Sequence, residues 1–428
     1  MKTLIKSATT AFLMVFCCLS AAAQKYDVLD QVGKDWRKMA GMEGPHRFET
    51  APLSKAPKGY KAFYVSMYAR HGSRYAWNSE TYKLLHKVLT DAHEASALTE
   101  DGEAFYSRFE AFYQFPLLNT GDLVPLGFEQ HKKLGKYYFN TFPEVFKGER
   151  KVNAIVSTSS RAIVSMSSFC LSLKGLNPKL DIYQSSTHDG LAIVTPISAP
   201  KEIRRSFKGQ DEPAQVESVS HFNQRTIDYD GILGKIFKDP GFVSSYEGGR
   251  SSFCFEYFQL WCGYRNYCDT NLFEGMLTEE QLLGLWEATN YYSYHGDITS
   301  RYANIPLLED FIDKADAAFD KPELAADLRF GHDYVFEAFM ALINANGCGT
   351  IPEKASDAKY WFQNFNVPMA ATVAFVFYKD KKGDILFKLL WNEEEASLPQ
   401  LTPVTGCYYR WTDFKAWADE LKAAYPEI

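Results

Sequence analysis

The chain has 428 residues, of which 46% are hydrophobic and 15% aromatic. A chain of this length and composition can bury a large core, either as one large domain or as two joined domains. Its formal net charge at pH 7 is −7, which argues against nucleic acid or an anionic membrane surface as the partner. An anionic substrate would therefore need a local basic pocket.

The first residues have the pattern of a secretory signal, predicted over residues 1–23. Lys2 and Lys6 precede an apolar stretch, and three alanines stand before Gln24. The stretch is too short to span a bilayer, and the alanines suit a signal peptidase. We therefore expect a secreted or periplasmic protein that begins at Gln24 and has no stable membrane association.

The cysteines that follow the predicted signal would enter an oxidising compartment, where disulfides can form. The sequence cannot choose among the possible pairings. Buried free thiols are the alternative, notably for Cys170 in an apolar helical stretch. These cysteines are Cys170, Cys254, Cys262, Cys268, Cys348 and Cys407.

Three apolar segments in the first and last thirds of the chain lead into polar residues and then into a helix or loop. Short β-branched and aromatic runs of this kind are typical of buried strands. The pattern predicts strands at 62–68, 152–157 and 328–331, helices at 161–173 and 334–344, and a hairpin of 373–379 with 385–391.

Strands that alternate with helices predict an α/β sheet. Between residues 190 and 320 the sequence instead offers helical stretches such as 279–292 and few β-branched runs. We interpret 190–320 as a helical insertion, or cap domain, within an α/β catalytic domain formed by 24–189 and 321–428. In open α/β sheets, ligands bind beyond the carboxyl ends of the strands.

The segment Arg70-His71-Gly72-Ser73-Arg74 follows the first predicted strand. Arginine stays charged and matches phosphate oxygens in a bidentate way, and a neutral imidazole nitrogen can attack phosphorus. Gly72 lets the backbone come close to a ligand. A bare Arg-His-Gly string is more often a surface or capping pair, but its position after a buried strand favours a phosphate site.

Two further strand ends carry suitable side chains. Arg161 stands at a predicted helix start, where free N–H groups and the helix dipole favour an anion, although an exposed first-turn arginine is an equal alternative. His332 can bind phosphate, and Asp333 can give a proton to a leaving alkoxide. Alone, this dipeptide is more typical of a turn with an N-capping aspartate.

Four segments, in matching order and spacing, resemble the histidine acid phosphatase family. They are YARHGSRY (68–75), GDLVPLGFEQHKKLG (121–135), VSTSSRAIVSMSSFCLSL (156–173) and LRFGHDYVFEAFMALIN (328–344). Within that family the chain is most similar to the multiple inositol polyphosphate phosphatases, whose active-site stretch is likewise RHG-S/T-RY.

The resemblance implies a phosphoglycerate-mutase-like sheet sandwiched by helices and a hydrolase of phosphate monoesters. It implies that His71 forms a phosphohistidine, that Asp333 is the general acid, and that neither a metal nor an organic cofactor is needed. The substrate would be a small phosphorylated molecule such as an inositol polyphosphate, and the oligomeric state is left open. The implied phosphate ligands are Arg70, Arg74, Arg161 and His332.

The chain departs from the family pattern in two places. Tyr75-Ala76 stands where the broader family has proline two residues after its second arginine. Inositol polyphosphate phosphatases usually carry His-Ala-Glu where this chain has His332-Asp333-Tyr334. The acid of this chain instead resembles that of classical acid phosphatases and phytases. A general acid phosphatase of broad specificity is therefore the alternative.

Other function classes remain open on the sequence alone. A phosphotransferase related to phosphoglycerate mutase is disfavoured by secretion, and a noncatalytic nutrient-binding protein is suggested by the many aromatic residues. The histidine and cysteine spacings do not favour a metal site. A basic cluster could rim the pocket and hold extra phosphates, although a solvated helix face is the commoner meaning of such a cluster. It consists of Lys201, Arg204, Arg205 and Lys208.

Overall fold

The computed structural model of the protein describes residues 28–29, 31–48, 50–210 and 217–428. The predicted signal, residues 1–23, lies outside the described residues. Within the part of the chain that is described, no helix is long and apolar enough to cross a membrane.

One mixed sheet forms the centre of the molecule. Its strands are β1 Lys61–Arg70, β2 Lys151–Val156, β3 Asp181–Ser185, β4 Leu324–Gly331, β5 Thr372–Lys379, β6 Ile385–Trp391, β7 Glu394–Ala396 and β8 Tyr409–Arg410. The strand order is β3-β2-β4-β1-β5-β6-β7, with β8 paired to β6. The neighbours β3, β2, β4 and β1 run parallel, and β5 and β6 continue the sheet in antiparallel pairs.

Helices flank the sheet and fill the segments between its strands. They are α1 Glu80–Glu94, α2 Glu100–Phe112, α3 Gln114–Leu118, α4 Pro125–Thr141, α5 Pro143–Phe146, α6 Ser160–Leu176, α7 Leu191–Val194, α8 Val219–Thr226, α9 Tyr229–Ile236, α10 Gly249–Gly263, α11 Glu279–Ser300, α12 Ile305–Ala318, α13 Asp333–Leu342 and α14 Trp411–Ala424. A 3-10 segment, Trp36–Glu43, precedes β1.

The central strands are buried and largely apolar because both faces of the sheet are covered. Tyr64 and Tyr68 of β1 belong to the core on one face, whereas Val65 and Met67 belong to the core on the other. All residues of β4 are buried. Side chains alternate between the two faces of a strand, so a two-sided sheet requires continuous rather than alternating hydrophobicity.

The predicted α/β fold class, a sheet flanked by helices, is confirmed. The predicted strands correspond to β1, β2, β4 and the β5–β6 hairpin, and the predicted helices to α6 and α13. Several elements extend beyond their predicted bounds: β1 reaches Arg70, β4 begins at Leu324 and α11 continues to Ser300.

Residues 217–320 hold helices and loops but no strand among those described. A third hydrophobic core joins α9, α10 and the first turns of α11 to α1 and α2, which precede residue 190. The assignment of 190–320 as a separate cap domain stays a prediction.

All six cysteines of the described residues are free thiols, so the free-thiol alternative describes this structure. Burial raises the pKa of the Cys170 and Cys254 thiols to about 12. These side chains therefore pack as small apolar groups.

Candidate active site

Three parallel neighbours in the sheet, β2, β4 and β1, end at the same edge. Arg70 is in register with Gly331, and Val156 with Phe330. The backbone N–H of His71 donates to the carbonyl of Gly331 at 3.0 Å, which ties the loop after β1 to the end of β4. Residues that follow each strand consequently meet at one place, as the sequence predicts.

His71 lies at the centre of this edge with 1% of its surface exposed. Its Nδ1 lies 2.9 Å from the carbonyl oxygen of Gly72. Because a carbonyl only accepts, Nδ1 must carry the proton, and Nε2 of the neutral ring keeps a lone pair. No described residue forms a hydrogen bond with Nε2.

Burial, together with the nearby positive charges, also keeps His71 neutral. Burial has the larger effect and the charge of Arg70 the next, and together they lower the pKa of His71 well below its usual value. Arg74, Arg161 and His332 act in the same direction. The imidazole therefore remains unprotonated at mildly acid pH, the state that a nucleophile would need.

Arg70 and Arg74 are held by groups on several elements. Two N–H groups of Arg70 donate to the carbonyls of Met42 at 2.5 Å and Val367 at 2.8 Å. Arg74 donates to the carboxylate of Glu43 at 2.9 Å. Yet the Nε atoms of Arg70, Arg74 and Arg161 are buried without a hydrogen-bond partner among the described residues. Three unsatisfied guanidinium donors around one imidazole suit a bound oxyanion.

His332 lies next to His71, with the two ring centroids 5.4 Å apart. Its Nε2 and the hydroxyl of Ser157 are 2.9 Å apart, and its backbone N–H donates to the hydroxyl of Tyr68 at 3.0 Å. Burial, followed by the charge of Arg161, lowers the pKa of His332 to about 4. A neutral His332 can act as a hydrogen-bonding ligand without adding charge.

Asp333 begins α13 and accepts two hydrogen bonds. Arg70 donates to Oδ2 at 2.6 Å, and the backbone N–H of Tyr334 donates to Oδ1 at 2.9 Å. Burial alone would raise the pKa of this carboxyl, but Arg70, Arg74 and His332 outweigh it and lower the pKa to about 2. Asp333 is thus ionised in the ligand-free site.

The structure brings all six predicted site residues together at this edge and adds others that the sequence analysis missed. Glu43 lies between the arginines, 2.9 Å from Arg74 and 3.9 Å from Arg70. Ser165 and Gln130 accept hydrogen bonds from the backbone N–H groups of Gly72 at 3.0 Å and Ser73 at 2.8 Å. Gln130 lies in segment 121–135, one of the four segments that carry the family resemblance. The sequence analysis assigned it no role.

Two of the four residues of the basic cluster make side-chain contacts with other parts of the chain. Arg205 forms ion pairs with Glu309 at 2.5 Å and Glu427 at 2.8 Å. Arg204 donates to the carbonyl of Ile197 at 3.2 Å. The next residue, Ser198, lies 2.7 Å from the hydroxyl of Tyr334.

Residues 64–232 match the family model described as the histidine phosphatase superfamily, branch 2. The predicted resemblance to this superfamily is confirmed. The matched segment contains most of β1, the loop that follows it, α4 and α6, and therefore His71 and its three arginines. His332 and Asp333 lie beyond it.

Solved histidine phosphatase structures share the fold. The Bifidobacterium longum multiple inositol polyphosphate phosphatase, in complex with inositol hexasulfate, has a TM-score of 0.72 at 18% identity, covering 89% of this chain and 97% of that chain. The phytase from D. castellii has a TM-score of 0.65 at 14% identity, covering 90% and 85%. The Hafnia alvei phytase, in complex with myo-inositol hexakis sulphate, has a TM-score of 0.59 at 14% identity, covering 85% and 98%. No curated protein sequence matches the chain.

Proposed function

We propose that this histidine phosphatase hydrolyses phosphate monoesters through a phosphohistidine formed on His71. The observation that carries the proposal is a neutral imidazole whose Nδ1 proton is fixed by the carbonyl of Gly72, surrounded by three arginines with unsatisfied Nε donors. This arrangement supplies a nucleophile and a fixed set of positive donors for the charge that spreads over a transferring phosphoryl group.

In the first step, Nε2 of His71 attacks phosphorus, so that an N–P bond forms and the bond from phosphorus to the ester oxygen breaks. Asp333 gives its proton to the leaving oxygen, and the product is an alcohol. In the second step, Asp333 takes a proton from water, whose oxygen attacks the phosphohistidine and releases inorganic phosphate. Arg70, Arg74 and Arg161 hold the phosphoryl oxygens in both steps.

The proton on Asp333 depends on the bound substrate. A phosphate dianion next to the carboxyl raises its pKa by like-charge repulsion and competes for Arg70. Activity is therefore expected at acid pH, where the substrate complex retains this proton. The ion pair between Asp333 and Arg70 must open for the transfer.

Inositol polyphosphates are the proposed substrates, with export by the signal at 1–23. The support is the shared fold with a multiple inositol polyphosphate phosphatase and with phytases. The alternative is a broad acid phosphatase, favoured by the His332-Asp333 dipeptide.

The test is phosphate release from inositol hexakisphosphate and from p-nitrophenyl phosphate, measured side by side at mildly acid pH. The His71→Ala variant should lose release from both substrates. His188→Ala, which changes an exposed histidine in a turn, is the matched control and should keep it. Release from the aryl phosphate alone would favour the broad phosphatase, and equal inactivity of wild type and His71→Ala would contradict the proposal.

A further inference from the structure

A pair of buried acids lies one helical turn beyond Asp333. Glu337 in α13 is 2% exposed, and Asp297 in α11 is 5% exposed. Their carboxyl groups are in hydrogen-bonding contact. An ionised carboxylate only accepts hydrogen bonds, so two carboxyl groups can bond to each other only if at least one is protonated.

The surroundings of the pair favour this proton. Asp297 Oδ2 and Glu337 Oε1 are buried, and no hydrogen-bond donor among the described residues reaches either atom. Burial, followed by the negative charge of Asp333, raises the pKa of Glu337 to about 8. Burial and the contact with Glu337 raise the pKa of Asp297 well above its usual value. The pair therefore retains a proton through neutral pH.

The charged and titratable groups that face the pair come from four directions. Asp333 is on the same helix as Glu337, four residues earlier, and so lies on the same helix face. Arg70 comes from the end of β1, Glu43 from the 3-10 segment, and the Cys348 thiol from the loop after α13. Arg70 is the only cation in this group among the described residues.

Arg70 already interacts with two carboxylates. It donates to Asp333 at 2.6 Å and lies 3.9 Å from Glu43. Its own exposure is 0%, so water screens these interactions little. A further negative charge on the Asp297–Glu337 pair would therefore offset the attraction of Arg70 for a phosphate group.

We propose that Asp297 and Glu337 are positioning residues that act through Arg70, and that the proton they share keeps this arginine available for the phosphate group of the substrate. The inference rests on the proposed function. Loss of the proton at alkaline pH weakens anion binding, and anion binding in turn draws a proton back onto the pair, since the two equilibria are linked.

The test measures binding of inorganic sulfate by isothermal titration calorimetry from pH 6 to 10, where sulfate itself stays a dianion. In the wild type, affinity should fall above pH 8 by up to about tenfold per pH unit. Titrations in buffers with different heats of ionisation should show that a proton is taken up in this range. The Asp297→Asn/Glu337→Gln double variant replaces the acids by neutral amides that can still bond to each other, and should show neither effect.

Two comparisons make the result specific. Glu256→Gln removes another carboxyl whose pKa is raised by burial, but which bonds to Thr81 away from the arginines; it should retain the wild-type fall. If the double variant does not fold, Glu337→Gln alone should abolish the proton uptake above pH 8.

An equally steep alkaline fall in the double variant or in Glu337→Gln would overturn the inference, as would the absence of sulfate binding at every pH. Sulfate binding with the expected pH dependence, but without phosphate release from any ester, would support the inference and contradict the proposed function. The two failures are therefore distinguishable.

Discussion

The carboxyl group of Asp333 is ionised in the ligand-free site: although burial would raise its pKa, Arg70 and Arg74 hold the pKa at about 2. As a general acid it would have to acquire its proton only when substrate is bound. Its contribution must then depend on how much the leaving oxygen needs a proton. An alkoxide is a poor leaving group without one, whereas a nitrophenolate leaves readily.

We therefore expect Asp333→Asn to slow hydrolysis of an alkyl phosphate about 10²–10⁴-fold, the range usual for loss of a general acid, and that of p-nitrophenyl phosphate much less. The substitution also removes the charge that pairs with Arg70, but that change affects both substrates alike. The ratio of the two kcat/KM values isolates the role of the proton.

Asp189→Asn is the matched control, because Asp189 follows His188 in the other His-Asp dipeptide of the chain and is exposed. It should leave both rates unchanged. Equal losses on alkyl and aryl substrates in Asp333→Asn would contradict the acid role and leave only a structural one.

Residues adjacent to a strand end could be predicted from the sequence, whereas those that reach the site from elsewhere could not. His71 and Asp333 follow short apolar runs of the kind typical of buried strands, so their position at the sheet edge follows from local pattern. Glu43 comes from a 3-10 segment that precedes β1 and lies against Arg74. Its role depends on long-range packing. The local sequence around a carboxylate in a short irregular segment does not show such packing.

At the scale of whole elements, the loop that follows β1 lies directly against the start of α4. A Cβ on Gly127 would lie 2.3 Å from the carbonyl oxygen of Ser73, and a Cβ on Gly72 would lie 2.4 Å from the carbonyl oxygen of Gly127. The loop and helix backbones thus touch directly. His131, one turn further along α4, has its Nε2 3.0 Å from the carbonyl of Arg70.

Gly127→Ala should therefore push the loop away from α4 and displace His71. We expect a loss of stability of about 1–3 kcal/mol, the range for overpacking a tight contact. The activation free energy of phosphate release should rise by more than this loss. Denaturant unfolding and the rate on p-nitrophenyl phosphate measure the two effects.

Gly296→Ala is the matched control, because a Cβ at this position in α11 would meet nothing within 4 Å. It should stabilise the protein by up to about 1 kcal/mol through helix propensity and leave the rate unchanged. Normal activity in Gly127→Ala would show that the loop tolerates a shift.

Element types were predictable here, but their ends were not. The sequence predicts β1 to end at Tyr68, yet pairing with β4 and β5 extends it to Arg70. Polar residues are ordinarily a sign of a loop, and here the hydrogen bonds of two neighbouring strands outweigh that preference. The association of α1 and α2 with α9 and α10 in one core likewise depends on contacts between distant segments.

At the scale of the whole molecule, several buried groups titrate differently in the folded and unfolded states. Burial lowers the pKa of His332 to about 4 and that of His131 to about 3. The unfolded chain then binds more protons than the folded one below pH 6.5, so these histidines reduce stability as the pH falls through that range. For His332 the difference corresponds to about 3 kcal/mol.

Glu337 acts in the opposite direction, because its pKa in the folded protein is raised from 4.5 to about 8. The folded chain binds the extra proton between these values, so Glu337 reduces stability as the pH rises through them. Asp297, whose pKa is also raised, acts in the same direction as Glu337. Above pH 6.5 these acids, and not the histidines, make stability depend on pH. The free energy of unfolding should therefore fall as the pH rises from 6.5 to 8.

Urea unfolding at pH 5, 6.5 and 8 checks this expectation. From pH 6.5 to 8 the wild type should lose stability, by up to about 2 kcal/mol for each proton that the acid pair releases on unfolding. The Asp297→Asn/Glu337→Gln variant should lose none of this, because its amides do not titrate, and it should still lose stability on the acid side, where the histidines remain. A double variant that weakens towards pH 8 as steeply as the wild type would place the alkaline titration on other groups, and a wild type equally stable at all three values would mean that these buried side chains titrate alike in both states.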